Sequence, residues 1–176
     1  MRPILPEILS LEQHFSQLQG DPESYRPNHC PTCGKSGLWC HGAYPRKADR
    51  ETGKLNPVSI PRFRCPHCKA TCSVLPECMP PRRWYSWAVQ QLALVALLFR
   101  QAFKPLAQQW TLSRTTFRRW WQQWQADFKR HAFHLRNRFP ELGYCEQFTG
   151  FWSTLLKHHR LSAVMRLLNC DGVAIP

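Results

Sequence analysis

Apolar residues recur at helical spacing in several stretches of the chain and alternate in others, and the two patterns divide it. Around residues 86–99 the apolar positions Trp87, Leu94, Val95 and Leu98 fall on one stripe of a helix. A short second helix is predicted over residues 105–110, with Pro105 suited to its first turn. Thr111-Leu112-Ser113 interrupts the pattern, and Ser113 is a good N-cap for a third helix. In that third helix Phe117, Trp121, Trp124 and Phe128 project within about 60° of one another, with Trp120 on the flank. Arg118, Arg119, Thr115 and Gln122 project to the opposite side. One face is therefore built to pack and the other is cationic and rich in hydrogen-bonding groups.

The first half reads differently. Residues 37–42 and 60–64 have strand character, and residues 49–57 (DRETGKLNP) carry the turn residues of a connecting loop. A further helix is expected over residues 9–18. After residue 148 two helices are expected, broken near Arg160-Leu161-Ser162, with Phe151, Trp152, Leu155, Leu156, Val164, Leu167 and Leu168 finishing a helical core. The most apolar run, residues 88–99, is far shorter than the roughly 20 residues a bilayer needs. The N-terminus has no continuous apolar stretch of the kind a signal peptide carries, so a cytoplasmic, nucleoid-associated protein with no membrane role is expected.

Charge sharpens this division. The formal net charge is +13, and between Arg26 and Arg138 there are 20 basic and 4 acidic residues, a difference of +16. A field concentrated in that way attracts a polyanion, for which nucleic acid is the expected partner.

The cysteines supply the chemistry. Cys30-Pro-Thr-Cys33-Gly34 and Cys65-Pro-His-Cys68-Lys69 are two knuckles separated by 31 residues. Each places two thiolates on one tight turn, and two such turns facing each other complete a closed tetrahedral Zn²⁺ site. With strands between them, this is the outline of a zinc ribbon, with Cys30, Cys33, Cys65 and Cys68 as ligands. A redox C-x-x-C is the rival reading, and two matched copies favour metal. His29 and His67 are expected as loop residues, since four cysteines complete the set. Cys40, Cys72 and Cys78 lack C-x-x-C spacing and are read as ordinary small side chains.

The short helix, the break and the basic third helix follow the order of a helix-turn-helix, whose recognition helix needs an aromatic back wall and a front of Arg, Thr and Gln for the major groove. The candidate DNA contacts are Ser113, Arg114, Thr115, Arg118, Arg119 and Gln122, supported by Arg62, Arg64, Lys69 and Lys104. The expected fold is α+β: an arm over residues 1–26, a zinc ribbon of short antiparallel strands over 27–80, a helix-turn-helix domain over 81–138 and a helical segment over 139–176.

The order CPTCG, RFRCPHCKATCS, AFKPLAQQWTLSRTTFRRWW resembles the zinc-ribbon plus helix-turn-helix DNA-binding regions of bacterial insertion-sequence proteins, over about residues 27–130. Arg62, Phe63, Arg64 and Cys65 match an aromatic-basic strand leading into the second knuckle, and Lys69 the basic residue after it. The resemblance implies a sequence-selective double-stranded DNA-binding protein, accessory to a transposase or recombinase encoded nearby.

After Arg130 the acidic residues are Glu141, Glu146 and Asp171, in a segment without the strand patterning of a two-metal catalytic domain. His131 and His134 do not form the alternating pair of single-strand nickases, and Tyr144 has no Arg/His constellation around it. A non-enzymatic role is expected. A fragment or subunit of a transposase, recombinase or nuclease with catalysis supplied elsewhere is the second reading, and an RNA-binding ribbon module the third.

Overall fold

Two compact units, Met1–Trp87 and Ala88–Pro176, make up the chain in a computed structural model that describes residues 4–47, 57–81, 85–101, 105, 113–173 and 175. The fold is α+β, with five α-helices and a small antiparallel sheet among the described residues.

In the first unit, strands β2 (Trp39–Arg46), β3 (Val58–Arg64) and β4 (Thr71–Cys72) form an antiparallel sheet in that order. The expected strands are present and longer than expected. Strand β2 continues through Gly42 because a bulge sets His41 and Gly42 against the single residue Arg62. Gly42 takes φ 73° there, a conformation open to glycine. Pro61 sits beside the bulge, where a lost ladder hydrogen bond costs least, and Pro45 lies on the edge strand. The predicted connecting loop lies outside the described residues except for Pro57. A second pairing, β1 (Ile4–Leu5) parallel to β5 (Leu75–Pro76), was not expected.

Helix α1 (Leu11–Gly20) begins two residues later than the periodicity suggests, because Ser10 and Gln13 form a reciprocal capping box. This helix is part of the core rather than a detached arm. Ile8, Tyr25, Leu38, Phe63 and Val74 pack with Cys30 and Cys65, while Leu11 and Phe15 lie against Val58, Ile60, Leu75 and Met79. His14 is fully buried: Nε2 lies 3.1 Å from the Ser59 carbonyl and Nδ1 lies 2.5 Å from the Tyr25 hydroxyl.

Helices α2 (Trp87–Leu98), α3 (Arg114–Arg136), α4 (Phe148–His158) and α5 (Leu161–Cys170) follow. The predicted short helix over residues 105–110 and the break after it lie outside the described residues apart from Pro105 and Ser113. Helix α3 starts where its cap was expected, the Ser113 hydroxyl accepting from the Thr116 N–H at 3.1 Å. Its buried stripe is displaced from the expected one. Phe117, Trp120, Trp124, His131, Ala132 and Leu135 are buried, whereas Trp121 and Phe128 are half-buried at the margin. These two rings face α4, where Phe148 meets Trp121 and Phe128 edge-on at 5.0 and 5.4 Å between ring centroids, and they line that seam rather than the centre of the buried stripe. Arg138 and His134 both reach Asp171, fastening the end of α3 to the end of α5.

Candidate metal centre and cationic helix face

Each knuckle is a tight turn written twice in the same backbone code. Cys30 N–H donates to Lys35 O at 2.8 Å and Gly34 N–H to Cys30 O at 2.8 Å. Cys65 N–H donates to Ala70 O at 2.9 Å and Lys69 N–H to Cys65 O at 3.1 Å. The residue after the second cysteine has positive φ in both turns, 72° at Gly34 and 62° at Lys69. Glycine fits that position freely; Lys69 holds it under mild strain, with its Nζ donating to Pro66 O at 2.7 Å.

These turns bring all four sulfurs of Cys30, Cys33, Cys65 and Cys68 within 4.8 Å of one another. Cys30 and Cys68 are 3.6 Å apart at sulfur, and Cys33 and Cys65 3.7 Å. A tetrahedral ion with metal–sulfur bonds of about 2.3 Å needs sulfurs about 3.8 Å apart, so the donor set fits a thiophilic divalent ion. The four cysteines are placed to hold a metal.

The local electrostatics agree. Cys30 is lowered to about 6, first by the N–H of Cys33 and then by that of Thr32, which points at its sulfur at 3.4 Å. Cys65 is lowered as well, chiefly by the Cys68 N–H. At Cys68 the Ala70 N–H favours the thiolate, but loss of solvent and the neighbouring cysteines outweigh it and push the thiol up to about 12. Full ionisation of the cluster calls for a compensating cation. His29 and His67 are exposed beside the turns, as expected for loop residues. Cys40 is exposed, and Cys72 and Cys78 are half-buried and pack against the core.

Arg64 is exposed immediately before Cys65, and Lys69 is exposed immediately after Cys68. Arg62 is half-buried, its guanidinium 5.1 Å from the Tyr44 ring centroid. In the second unit, Ser113, Arg114, Thr115, Arg118, Arg119 and Gln122 are all exposed along the N-terminal turns of α3. The opposite side of the same turns is the aromatic wall of Phe117, Trp120 and Trp124. Lys104 lies outside the described residues. Tyr144 is 94% exposed, and Asp171 is held by Arg138, which keeps its carboxyl below the usual range. One residue across the sheet from Arg64 escaped the sequence reading: Trp39 is 62% exposed, directly after Leu38, which is 1% exposed.

The family model described as Domain of unknown function (DUF6431) matches residues 30–120, just over half of the chain. The chain belongs to that family. No curated protein and no solved structure matches the chain. The DUF6431 region opens on the first metal-site cysteine and closes on Trp120, so it takes in the whole thiolate cluster, α2 and the first two turns of α3. Arg114, Thr115, Arg118 and Arg119 fall inside it; Gln122, α4 and α5 fall outside. None of the described helices is long and apolar enough to cross a membrane.

Proposed function

We propose that this chain is a zinc-stabilised, sequence-selective double-stranded DNA-binding protein without catalytic activity of its own, serving a bacterial mobile element as an accessory or regulatory factor beside a transposase or recombinase. The observation that carries the reading is the division of α3: a cationic, amide- and hydroxyl-bearing face open to solvent, backed by buried tryptophans that fix its orientation.

The four-thiolate set favours Zn²⁺ over harder ions, and a complete cysteine set is the closed, structural type of site, a zinc ribbon in its simplest form. The ion's contribution when bound is to neutralise the thiolates and lock the two turns together. Helix α3 is then the recognition helix of a helix-turn-helix. Its Arg118 and Arg119 suit guanine edges or phosphate and Gln122 suits adenine, while the capped N-terminus at Ser113 faces the DNA backbone. The cations of the first unit, Arg64 and Lys69 foremost, add phosphate contacts. Such a protein works in the cytoplasm, on the nucleoid.

The test pairs affinity with stability. Arg119→Ala and Gln122→Ala should each keep the melting temperature and weaken binding to a selected duplex site by about 1–3 kcal/mol per lost base contact. If both can be removed with selectivity and affinity intact, α3 is only a solvated bundle helix and the reading fails.

A further inference from the structure

The solvent face of the first unit's sheet carries a row whose aromatic member, Trp39, a duplex reader does not need. Trp39 on β2 stands opposite Arg64 on β3, and Arg64 stands opposite Thr71 on β4. All three are exposed, so one row crosses the three strands on the same face. Directly opposed residues keep their Cβ atoms about 5 Å apart, which places the indole, the guanidinium and the hydroxyl side by side. The middle of the row lies one residue from the cysteine cluster, since Arg64 precedes Cys65.

The surroundings are positively charged. Residues 27–47 and 57–76 carry Lys35, Arg46, Lys47, Arg62, Arg64 and Lys69 and no Asp or Glu. Over the whole of residues 27–80 there are eight Lys/Arg and three Asp/Glu, a difference of +5, and four thiolates around a divalent ion contribute −2, which leaves +3. A contiguous apolar patch would point to a protein partner. In this unit the exposed large apolar side chains among the described residues are Leu9 and Trp39, one ring on the sheet rather than a patch. A flat ring beside a guanidinium in a cationic field matches an unpaired base and its phosphate, the combination by which single strands are held. A duplex keeps its base faces stacked inside and leaves such a ring unused.

We propose that the solvent face of the β2–β3–β4 sheet is a single-stranded DNA contact, in which Trp39 stacks on an unpaired base and Arg64 holds the adjoining phosphate. This goes beyond the duplex reading of α3 and stands or falls separately from it. A protein with both surfaces would bind unpaired as well as duplex DNA.

The test uses full-length, zinc-loaded protein and the fluorescence anisotropy of a labelled oligodeoxythymidine of about 12 nucleotides, with a duplex of matched length as the second probe. Trp39→Ala should weaken oligonucleotide binding about tenfold or more, Trp39→Phe should retain most of it, and Arg64→Ala should weaken it as well. Metal content, circular dichroism and duplex affinity of Trp39→Ala should stay at wild-type values. Arg118→Ala/Arg119→Ala should show the reverse pattern, losing duplex and keeping oligonucleotide. The proposal is overturned if wild-type protein does not bind the oligonucleotide, if Trp39→Ala binds it as wild type does, or if Trp39→Ala loses both probes equally. Should the α3 variant keep duplex binding while Trp39→Ala still loses the oligonucleotide, the α3 reading falls and the sheet contact stands.

Discussion

His14 shows how a single side chain can tie the first unit together and at the same time limit it. A carbonyl only accepts, so Nε2 carries the proton toward Ser59 O and Nδ1 accepts from the Tyr25 hydroxyl. The neutral ring is satisfied at both nitrogens. Burial lowers its pKa below 6.5, and the Ser59 carbonyl offsets that only in part. Because the folded value is below the unfolded one, the contribution to stability is complete above about pH 6.5 and drains away as pH falls through the folded pKa. The melting temperature of the first unit should therefore drop on acidification below that point, and His14→Gln, though less stable at neutral pH, should show a shallower drop. Metal release by protonated cysteines affects both proteins alike, so the difference between their slopes is the readout. The knuckle turns give a second residue-level expectation. A Cβ on Gly34 would meet no atom within 4 Å, so Gly34→Ala is opposed by backbone strain alone, about 1–2 kcal/mol. At Lys69, φ 62°, the change to glycine should relieve strain of the same kind, leaving stability equal or slightly raised in denaturant titrations.

At the scale of elements, the two adjacent tryptophans of α3 separate what a helical projection can and cannot reveal. Trp120 is 2% exposed and Trp121 is half-buried against Phe148. Trp120→Ala should therefore cost about 3–5 kcal/mol, and Trp121→Ala clearly less, measured by thermal melting of the two variants side by side. Equal losses would contradict the packing described. The projection located the aromatic face of α3 and its cap at Ser113, because both are set by local spacing. Its centre was misplaced by part of a turn because the seam is decided by α4, whose rings come from about 30 residues further along the chain. Strands followed the same logic. The pieces bordering the knuckles were legible from alternation, but β2 past the bulge was not, since Gly42 and Pro45 look like loop residues until the partner strand is present. The two-residue pairs β1, β4 and β5 are too short to show any period. The thiolate cluster was the most legible feature of all: C-x-x-C fixes each half locally, and only one long-range closure has to be supplied. Trp39 was passed over because an isolated exposed ring becomes informative only when the register shows Arg64 and Thr71 beside it.

For the whole molecule, the metal centre and the cationic surfaces become one thermodynamic problem. Cys30 and Cys65 are buried among Ile8, Tyr25, Leu38 and Phe63, so a metal held by the cluster would be joined to the core that α1 closes rather than hung on its edge. Without a cation the cluster cannot ionise fully, so metal binding would be folding energy for the first unit. Purified protein should carry about one equivalent of zinc, and Cys65→Ser or chelation should unfold the sheet while the helices of the second unit remain in far-ultraviolet circular dichroism. The consequence for DNA can be read from salt. Duplex affinity should fall with salt at a logarithmic slope of about −0.9 for each phosphate neutralised. Arg114, Arg118 and Arg119 on α3 with Arg64 and Lys69 beside the cysteine cluster amount to five exposed cations, giving a slope of about −4 to −5. If both units touch the duplex, unfolding the first by Cys65→Ser should remove Arg64 and Lys69 from the count and flatten the slope by about two, with binding weakened most at low salt. A slope unchanged by Cys65→Ser would assign duplex binding to α3 alone and leave the sheet of the first unit free for a different strand.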